Sequence, residues 1–168
     1  NGNWTLYINY NWDTATQSFV PSYKKEYTYD ANGNWTLYID YNWDTATQSF
    51  VPSYKMEYAY NTNGNQTPII GYFWDTATQS FVPSFKREYA YDANGNSTLY
   101  INYDWDTATQ SFIPTQRDVR VYDYNFSPVG PLISWKVEKY YPALGVFKPS
   151  FVKEYSVHTD TERSEDQR

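Results

Sequence analysis

The sequence predicts an all-β fold: an antiparallel β-meander of tandem 31-residue hairpin repeats, forming a curled or solenoid-like sheet. Asn-Gly-Asn recurs every 31 residues, at Asn1, Asn32, Asn63 and Asn94. Each copy also carries the string Trp-Asp-Thr-Ala-Thr-Gln-Ser-Phe, and the first two copies differ at only five of 31 positions. The 20 Tyr, 9 Phe and 7 Trp residues suit a pleated, half-exposed surface, which favours strands over helices.

The first element of each repeat is a strand with strict alternation. In residues 4–12 one face carries Trp4, Leu6, Ile8, Tyr10 and Trp12. We expect this apolar face to be buried, with a core row of the four repeated tryptophans Trp12, Trp43, Trp74 and Trp105. The opposite face carries tyrosines that are candidates for contact with a ligand or a neighbouring chain, namely Tyr7, Tyr38 and Tyr100.

The second element follows a polar connection and spans residues 18–29. Alternation predicts one face with Phe19, Tyr23, Tyr27 and Tyr29, opposite Ser22, Lys24 and Glu26. A proline interrupts this strand in every repeat, and we interpret it as a bulge or corner at which the sheet bends. The prolines are Pro21, Pro52, Pro83 and Pro114. An Asn-Gly turn then reverses the chain, because both residues tolerate positive φ.

The later part of the chain departs from the repeat. The third copy diverges at Gln66, Pro68 and Gly71, and the fourth diverges after Pro114. We assign residues 1–124 to four hairpin repeats and residues 125–158 to a diverged fifth repeat that serves as a cap or a docking element. Residues 159–168 form a charged tail.

Composition argues against several function classes. The net charge of −6, without a basic cluster, argues against nucleic-acid binding, and no apolar run is long enough for membrane insertion. Cysteine is absent and His158 is the single histidine, so we expect no metal site, cofactor or catalytic residue. The repeated Lys24/Glu26, Lys55/Glu57 and Lys86/Glu88 motifs are interpreted as cross-strand charge pairs.

The turn and its flanks resemble a known repeat motif. The segments 27–34, 58–65 and 89–96 resemble the Tyr-Asp (YD, Rhs-type) repeat, and this resemblance implies long β-hairpins in a secreted protein. The string Tyr-Asp-Ala-Asn-Gly-Asn, followed by Trp-Asp-Thr-Ala-Thr, is similar to tandem repeats of secreted surface proteins of Bacteroidota-type bacteria.

That similarity implies a modification site in each repeat. Asp-Thr-Ala matches the O-glycosylation acceptor of those bacteria, which makes Thr14, Thr45, Thr76 and Thr107 candidate glycosylation sites. The alternative is a loop whose Asp and Thr side chains bond its own backbone.

These observations favour a non-enzymatic structural or adhesive protein, extracellular or on the cell surface: a stalk, surface coat or fibre subunit. The first strand carries no proline, lysine or charge between Trp4 and Trp12, so its edge is open to pairing. The expected partners are other copies of the chain, joined head-to-tail by strand addition. The alternatives are that further repeats precede Asn1 in the full protein, or that the chain is a capped monomer cut from a longer one. The alternative function is a glycan-binding module that holds polysaccharide on its repeated Trp and Tyr rows.

Overall fold

The computed structural model describes residues 2–122 and 132–155, and these residues form a ten-stranded sheet with the strands in sequence order. The described strand pairs are antiparallel, which confirms the predicted all-β meander. The strands are β1 (Leu6–Asp13), β2 (Ser18–Tyr29), β3 (Trp35–Asp44), β4 (Ser49–Tyr60), β5 (Gln66–Asp75), β6 (Ser80–Tyr91), β7 (Ser97–Asp106), β8 (Ser111–Tyr122), β9 (Leu132–Tyr141) and β10 (Val146–Glu154).

The chain divides into two compact units. Among the described residues, the first unit comprises 2–88 and 103–113, and the second comprises 89–102, 114–122 and 132–155. A 3₁₀ turn, Pro142–Leu144, joins β9 to β10 and ends at Gly145, whose φ of 64° is left-handed. The predicted fifth repeat corresponds to β9 and β10. Its residues 125–131 and 156–158, and the predicted tail at 159–168, lie outside the described residues.

Two kinds of turn alternate along the sheet. At the Asn-Gly turn the Asp30 carboxylate accepts hydrogen bonds from the backbone of Asn32 and Asn34, both at 2.9 Å, while Gly33 takes a φ of 87°. At the other end of the strands, Gln17 and its three repeat equivalents are left-handed with φ near 50°. These repeated local bonds fix where each strand ends.

Pro21, Pro52 and Pro83 each lie beside a β-bulge, as the sequence predicts. Between β1 and β2, Asn9 pairs with Tyr23 but Tyr10 pairs with Pro21, so Ser22 is an extra residue on β2. The same shift occurs between β3 and β4, between β5 and β6, and between β9 and β10. The bulge lets a residue without a backbone N–H lie inside the strand.

The bulge also changes which side chains share a face. Because the extra residue reverses the alternation, Phe19 lies on the face of Lys24 and not on that of Tyr23. The prediction that Phe19 and Tyr23 share a face is therefore wrong. A second shift between β2 and β3 pairs Tyr29 with Trp35, and Trp35 packs on Tyr27, on the face opposite Leu37.

The predicted core row of tryptophans is not buried. Trp12 is 55% exposed, and Trp43, Trp74 and Trp105 are half-buried. Among the described residues Ile69, at 5% exposure, is the one buried large apolar side chain, because the described strands belong to one sheet with no α-helix or second sheet to pack against them. Each tryptophan instead packs edge-on against a phenylalanine of the next strand, with ring centroids 4.9–5.2 Å apart: Phe19, Phe50, Phe81 and Phe112.

Candidate functional site

In the first unit one face of the sheet repeats a cluster of lysine, glutamate and tyrosine, and we call it the lysine face. Its first copy joins β2 to β3: Lys24 Nζ lies 2.7 Å from Glu26 Oε1, and the Tyr41 hydroxyl donates to Glu26 Oε2 at 2.7 Å. Lys24 Nζ also lies 3.8 Å from the centre of the Tyr41 ring, a cation–π contact. The second and third copies are Lys55/Glu57/Tyr72 and Lys86/Glu88/Tyr103.

The cluster shifts the pKa of its glutamate and the pKa of its tyrosine in opposite directions. Hydrogen bonds from Lys24 and then Tyr41 lower the pKa of Glu26. At Glu57 burial favours the protonated carboxyl and so raises the pKa, but the hydrogen bonds from Lys55 and Tyr72 outweigh burial and lower the pKa of that carboxyl. Burial and the bond to Glu26 raise the pKa of Tyr41 to about 12. The charged glutamate and the neutral tyrosine therefore stabilise each other across the strand pair.

The lysine–glutamate pairs were expected to cross between strands, and this expectation is wrong. Lys24 and Glu26 are two residues apart on β2, so they pair along one strand of the lysine face. The cross-strand link is the tyrosine hydroxyl of the next strand. The sequence contains this tyrosine at a fixed distance, but its role depends on the register that the bulge sets.

In the second unit a different charged cluster appears, which the sequence analysis missed. Glu138 on β9 is 3% exposed and accepts from Arg117 on β8, while Lys136 Nζ lies 2.6 Å from its other oxygen. The Arg117 bond and then Lys136, against the opposing effect of burial, lower the pKa of Glu138. Arg117 also stacks on Phe147, 4.5 Å from the ring centre. This ion pair between a partly exposed arginine and a buried glutamate joins β8 to β9 where the repeat has lost its lysine–tyrosine contact.

The opposite face of the first unit is dominated by tyrosines, and we call it the tyrosine face. Near the Asn-Gly turn it forms a cavity of about 370 Å³. Trp4, 70% exposed, and Trp35 are two of its aromatic walls. The other lining residues are Gly2, Asn3, Tyr7, Tyr27, Tyr29 and Gly33. We call this cavity the aromatic cleft. The third and fourth repeats carry Gln66 and Ser97 in place of the tryptophan.

The tyrosines predicted to contact a ligand pack against neighbouring strands. Tyr7 is exposed but lies 5.7 Å from the Tyr23 ring, and Tyr38 lies 5.3 Å from the Tyr27 ring. Tyr38 also donates its hydroxyl to Asp40. In the second unit Tyr100 packs on Tyr89 and donates to Asn102 at 2.6 Å. Tyr7 alone of the three lines the aromatic cleft.

The four candidate glycosylation threonines are exposed at the second position of equivalent turns. In the first turn the Asp13 carboxylate accepts from the Ala15 backbone at 2.8 Å and from the Thr16 hydroxyl at 3.0 Å. These bonds lower the pKa of Asp13. The turn is thus held by Asp13 and Thr16, and the Thr14 side chain takes no part in those bonds.

No group of three or more His, Cys, Asp or Glu side chains is arranged to hold a metal ion in residues 2–122 and 132–155. Within the same ranges there is no helix of sufficient length and apolar character to cross a membrane.

Comparison with known proteins gives a fold and no function. No known family matches the sequence, and no curated protein matches it either. A protein of unknown function from Bacteroides fragilis NCTC 9343 is similar in structure, with a TM-score of 0.61 and 14% identity over 80% of this chain and 92% of that one. Two DUF3836 family proteins are more distant. The one from Bacteroides vulgatus has a TM-score of 0.47 and 15% identity, over 55% of this chain and 90% of its own. The one from Parabacteroides distasonis has a TM-score of 0.38 and 22% identity, over 54% and 91%.

Proposed function

We propose that this chain is a non-enzymatic structural or adhesive repeat protein of the cell exterior, serving as a stalk, surface coat or fibre subunit. The observation that carries the proposal is a ten-stranded sheet whose edge strands, β1 and β10, have no further strand beside them among the described residues and carry exposed apolar side chains. Such a sheet offers repeated surfaces rather than one enclosed site, and repeated surfaces suit assembly. The similarity of the turn motifs to YD repeats and to Bacteroidota-type surface repeats supports the extracellular location.

The proposed partners are further copies of the chain, which add at the edge strands. Light scattering over a wide concentration range and negative-stain microscopy test this on the 168-residue chain. We expect particles that grow with concentration. A monomer at every concentration would refute the assembly role.

Glycosylation of the repeat turns is part of the same proposal. We expect O-linked glycans on Thr14, Thr45, Thr76 and Thr107 in protein purified from its native host, because each threonine is exposed beside an Asp-anchored turn. Sugars at these positions would protect the turns from proteases and keep an aromatic-rich surface soluble. Peptide mass spectrometry on the native protein checks the prediction. Four unmodified threonines would contradict it, and recombinant protein from another host is not a valid sample.

A glycan-binding module is the second candidate, and the aromatic cleft favours it. Exposed aromatic rings beside polar Asn and backbone groups are the composition of a small-ligand site. Retention on immobilised polysaccharides tests this function. Trp35→Ala removes a wall of the cleft and is expected to abolish retention. Trp43→Ala is the matched control, because it removes a tryptophan of the lysine face and leaves the cleft intact.

A further inference from the structure

The strand at the N-terminal edge of the sheet lacks the partner that its repeat equivalents have. Tyr41, Tyr72 and Tyr103 each donate a hydroxyl to the glutamate of the preceding strand. The equivalent residue on β1 is Tyr10, which is 50% exposed and has no hydrogen-bond partner among the described residues. Leu6 and Tyr7 of the same strand are also exposed.

The strand at the other edge, β10, has the geometry of the strands that supply that partner. Ser150 is its bulge residue and donates to the Val137 carbonyl at 3.1 Å, as Ser53 of β4 donates to the Asp40 carbonyl at 3.2 Å. The Tyr155 N–H donates to Ile133 O at 2.9 Å. The corresponding bond in the first repeat joins Tyr27 to Thr5, at 3.0 Å. Residues 151–155 of β10 therefore correspond to residues 23–27 of β2.

This correspondence brings the repeat's glutamate to the C-terminal edge. Glu154 occupies the position of Glu26 and has no ion pair or hydrogen-bond partner from its side chain among the described residues. Tyr155 occupies the position of Tyr27, and Phe151 that of Tyr23. Phe151, Val152 and Tyr155 are all exposed on this edge.

We propose that β10 of one copy pairs with β1 of a second copy in the register of the β2–β3 joint, so that Glu154 accepts the hydroxyl of the second copy's Tyr10. In the β2–β3 joint, Lys25 lies opposite Asp40 and Tyr27 lies opposite Tyr38. The same register sets Lys153 opposite Asn9 and Tyr155 opposite Tyr7. Tyr155 and Tyr7 would then pack as Tyr27 and Tyr38 do at 5.3 Å.

A second copy is the fitting occupant because both halves of the joint are present in this chain, one at each edge. Proline and lysine residues commonly protect an edge strand from pairing, but those on β10 do not block this joint. Pro149 lies outside the docking stretch, just as Pro21 lies outside the β2–β3 pairing. Lys153 is equivalent to Lys25, which is accommodated inside the sheet 3.8 Å from Asp40. The inference rests on the proposed head-to-tail assembly and specifies its register.

Disulfide trapping tests the register directly, since the chain contains no cysteine of its own. Chains carrying Asn9→Cys are mixed with chains carrying Lys153→Cys under mild oxidation. Directly opposed residues of an antiparallel pair have Cα atoms about 4.5–5.5 Å apart, which is within disulfide range. We expect a covalent heterodimer from this mixture. The matched control mixes Asn11→Cys with Lys153→Cys, whose positions lie diagonally about 7–8 Å apart and cross-link poorly.

The outcomes separate this inference from the function on which it rests. Assembly without the Asn9–Lys153 cross-link, or with equal cross-linking in the control mixture, overturns the register and leaves the structural role intact. Homodimers of either single variant overturn the head-to-tail arrangement. A monomer at all concentrations overturns both.

The hydroxyl contact has its own test. Tyr10→Phe keeps the ring and removes the donor, and we expect the half-assembly concentration to rise by roughly 10- to 100-fold, the effect of one lost hydrogen bond to a charged group. Tyr41→Phe removes the equivalent hydroxyl inside the sheet and should leave that concentration unchanged. Equal effects of the two variants on assembly would contradict the Tyr10–Glu154 contact.

Discussion

At the scale of single residues, the lysine face shows how a sheet without a conventional core is held together. Lys24, Glu26 and Tyr41 combine an ion pair, a charged hydrogen bond and a cation–π contact in a half-buried setting. Each contact is modest, because exposed ion pairs contribute about 0–1 kcal/mol. The cluster recurs three times along the first unit, so the same contacts join β2 to β3, β4 to β5 and β6 to β7.

Tyr41→Phe measures one such cluster. We expect the free energy of unfolding to fall by about 1 kcal/mol, since a hydrogen bond to a charged acceptor is lost but Glu26 keeps Lys24. Urea unfolding of the natural chain and of the Tyr41→Phe variant measures the difference in the free energy of unfolding. Tyr10→Phe is the control, because the Tyr10 hydroxyl has no partner among the described residues, and it should leave the stability of the monomer unchanged. A larger loss from Tyr10→Phe than from Tyr41→Phe would contradict the role of the cluster.

The same cluster predicts a stability optimum between acid and alkali. The pKa of Glu26 is lowered in the folded chain, so its contribution is complete above the ordinary glutamate pKa of about 4.3 and is lost as the pH falls further. The pKa of Tyr41 is raised to about 12, so its contribution is complete below about pH 10 and is lost as the pH rises towards that value. Urea unfolding across this range should show both declines. Tyr41→Phe should flatten the alkaline decline.

At the scale of elements, much of the sheet could be predicted from the sequence. The alternation and the Asn-Gly turns predict the strands, and the recurring proline predicts the bulge that forms at Ser22. The face of Phe19 could not be predicted, because it depends on which residue beside Pro21 becomes the extra one. The exposure of Trp12 was also unpredictable, since alternation identifies an apolar face but not whether a second layer covers it.

The third repeat shows how a local change is compensated by the next strand. Gly71 replaces the Asn or Asp of the other repeats, and the Phe85 ring of β6 lies where a Gly71 side chain would be. The aromatic ring thus packs over a glycine within a strand. Ile69, two residues before Gly71, is the most buried large apolar residue among those described. The divergence that the sequence shows at Gly71 therefore makes room for the Phe85 ring beside a buried Ile69.

Gly71→Ala should consequently destabilise the chain, although alanine suits a strand better than glycine. The added methyl group would collide with the Phe85 ring, and we expect a loss of about 1–3 kcal/mol in the free energy of unfolding. Asn9→Ala, at the equivalent position of β1 opposite Tyr23, is the matched control and should change stability by less than about 0.5 kcal/mol. Thermal unfolding of both variants measures the difference. A gain in stability for Gly71→Ala would mean that Phe85 moves aside freely.

At the scale of the whole molecule, each of the described strands pairs only with its neighbours in sequence, so stability should be close to a sum over strand pairs. Deletion of residues 32–62 tests this. The deletion joins equivalent points of two repeats, and β2 would then pair with β5, which brings Tyr72 to Glu26 in place of Tyr41. We expect the chain to keep its β-sheet circular dichroism and to unfold with a smaller urea m-value, because less surface is exposed on unfolding. Its half-assembly concentration should stay within about twofold, because β1 and β10 are unchanged and interactions are confined to neighbouring strands.

Deletion of residues 32–47 is the contrasting control. It removes β3 and leaves β2 followed by β4, two strands of the same type whose glutamates lack a tyrosine donor between them. Because interactions are confined to neighbouring strands, that variant should lose the β1–β2 hairpin from the sheet while β4–β10 stay paired, so its urea m-value should fall further than that of the in-register deletion. If the in-register deletion unfolds the whole chain, the sheet is held by interactions beyond neighbouring strands.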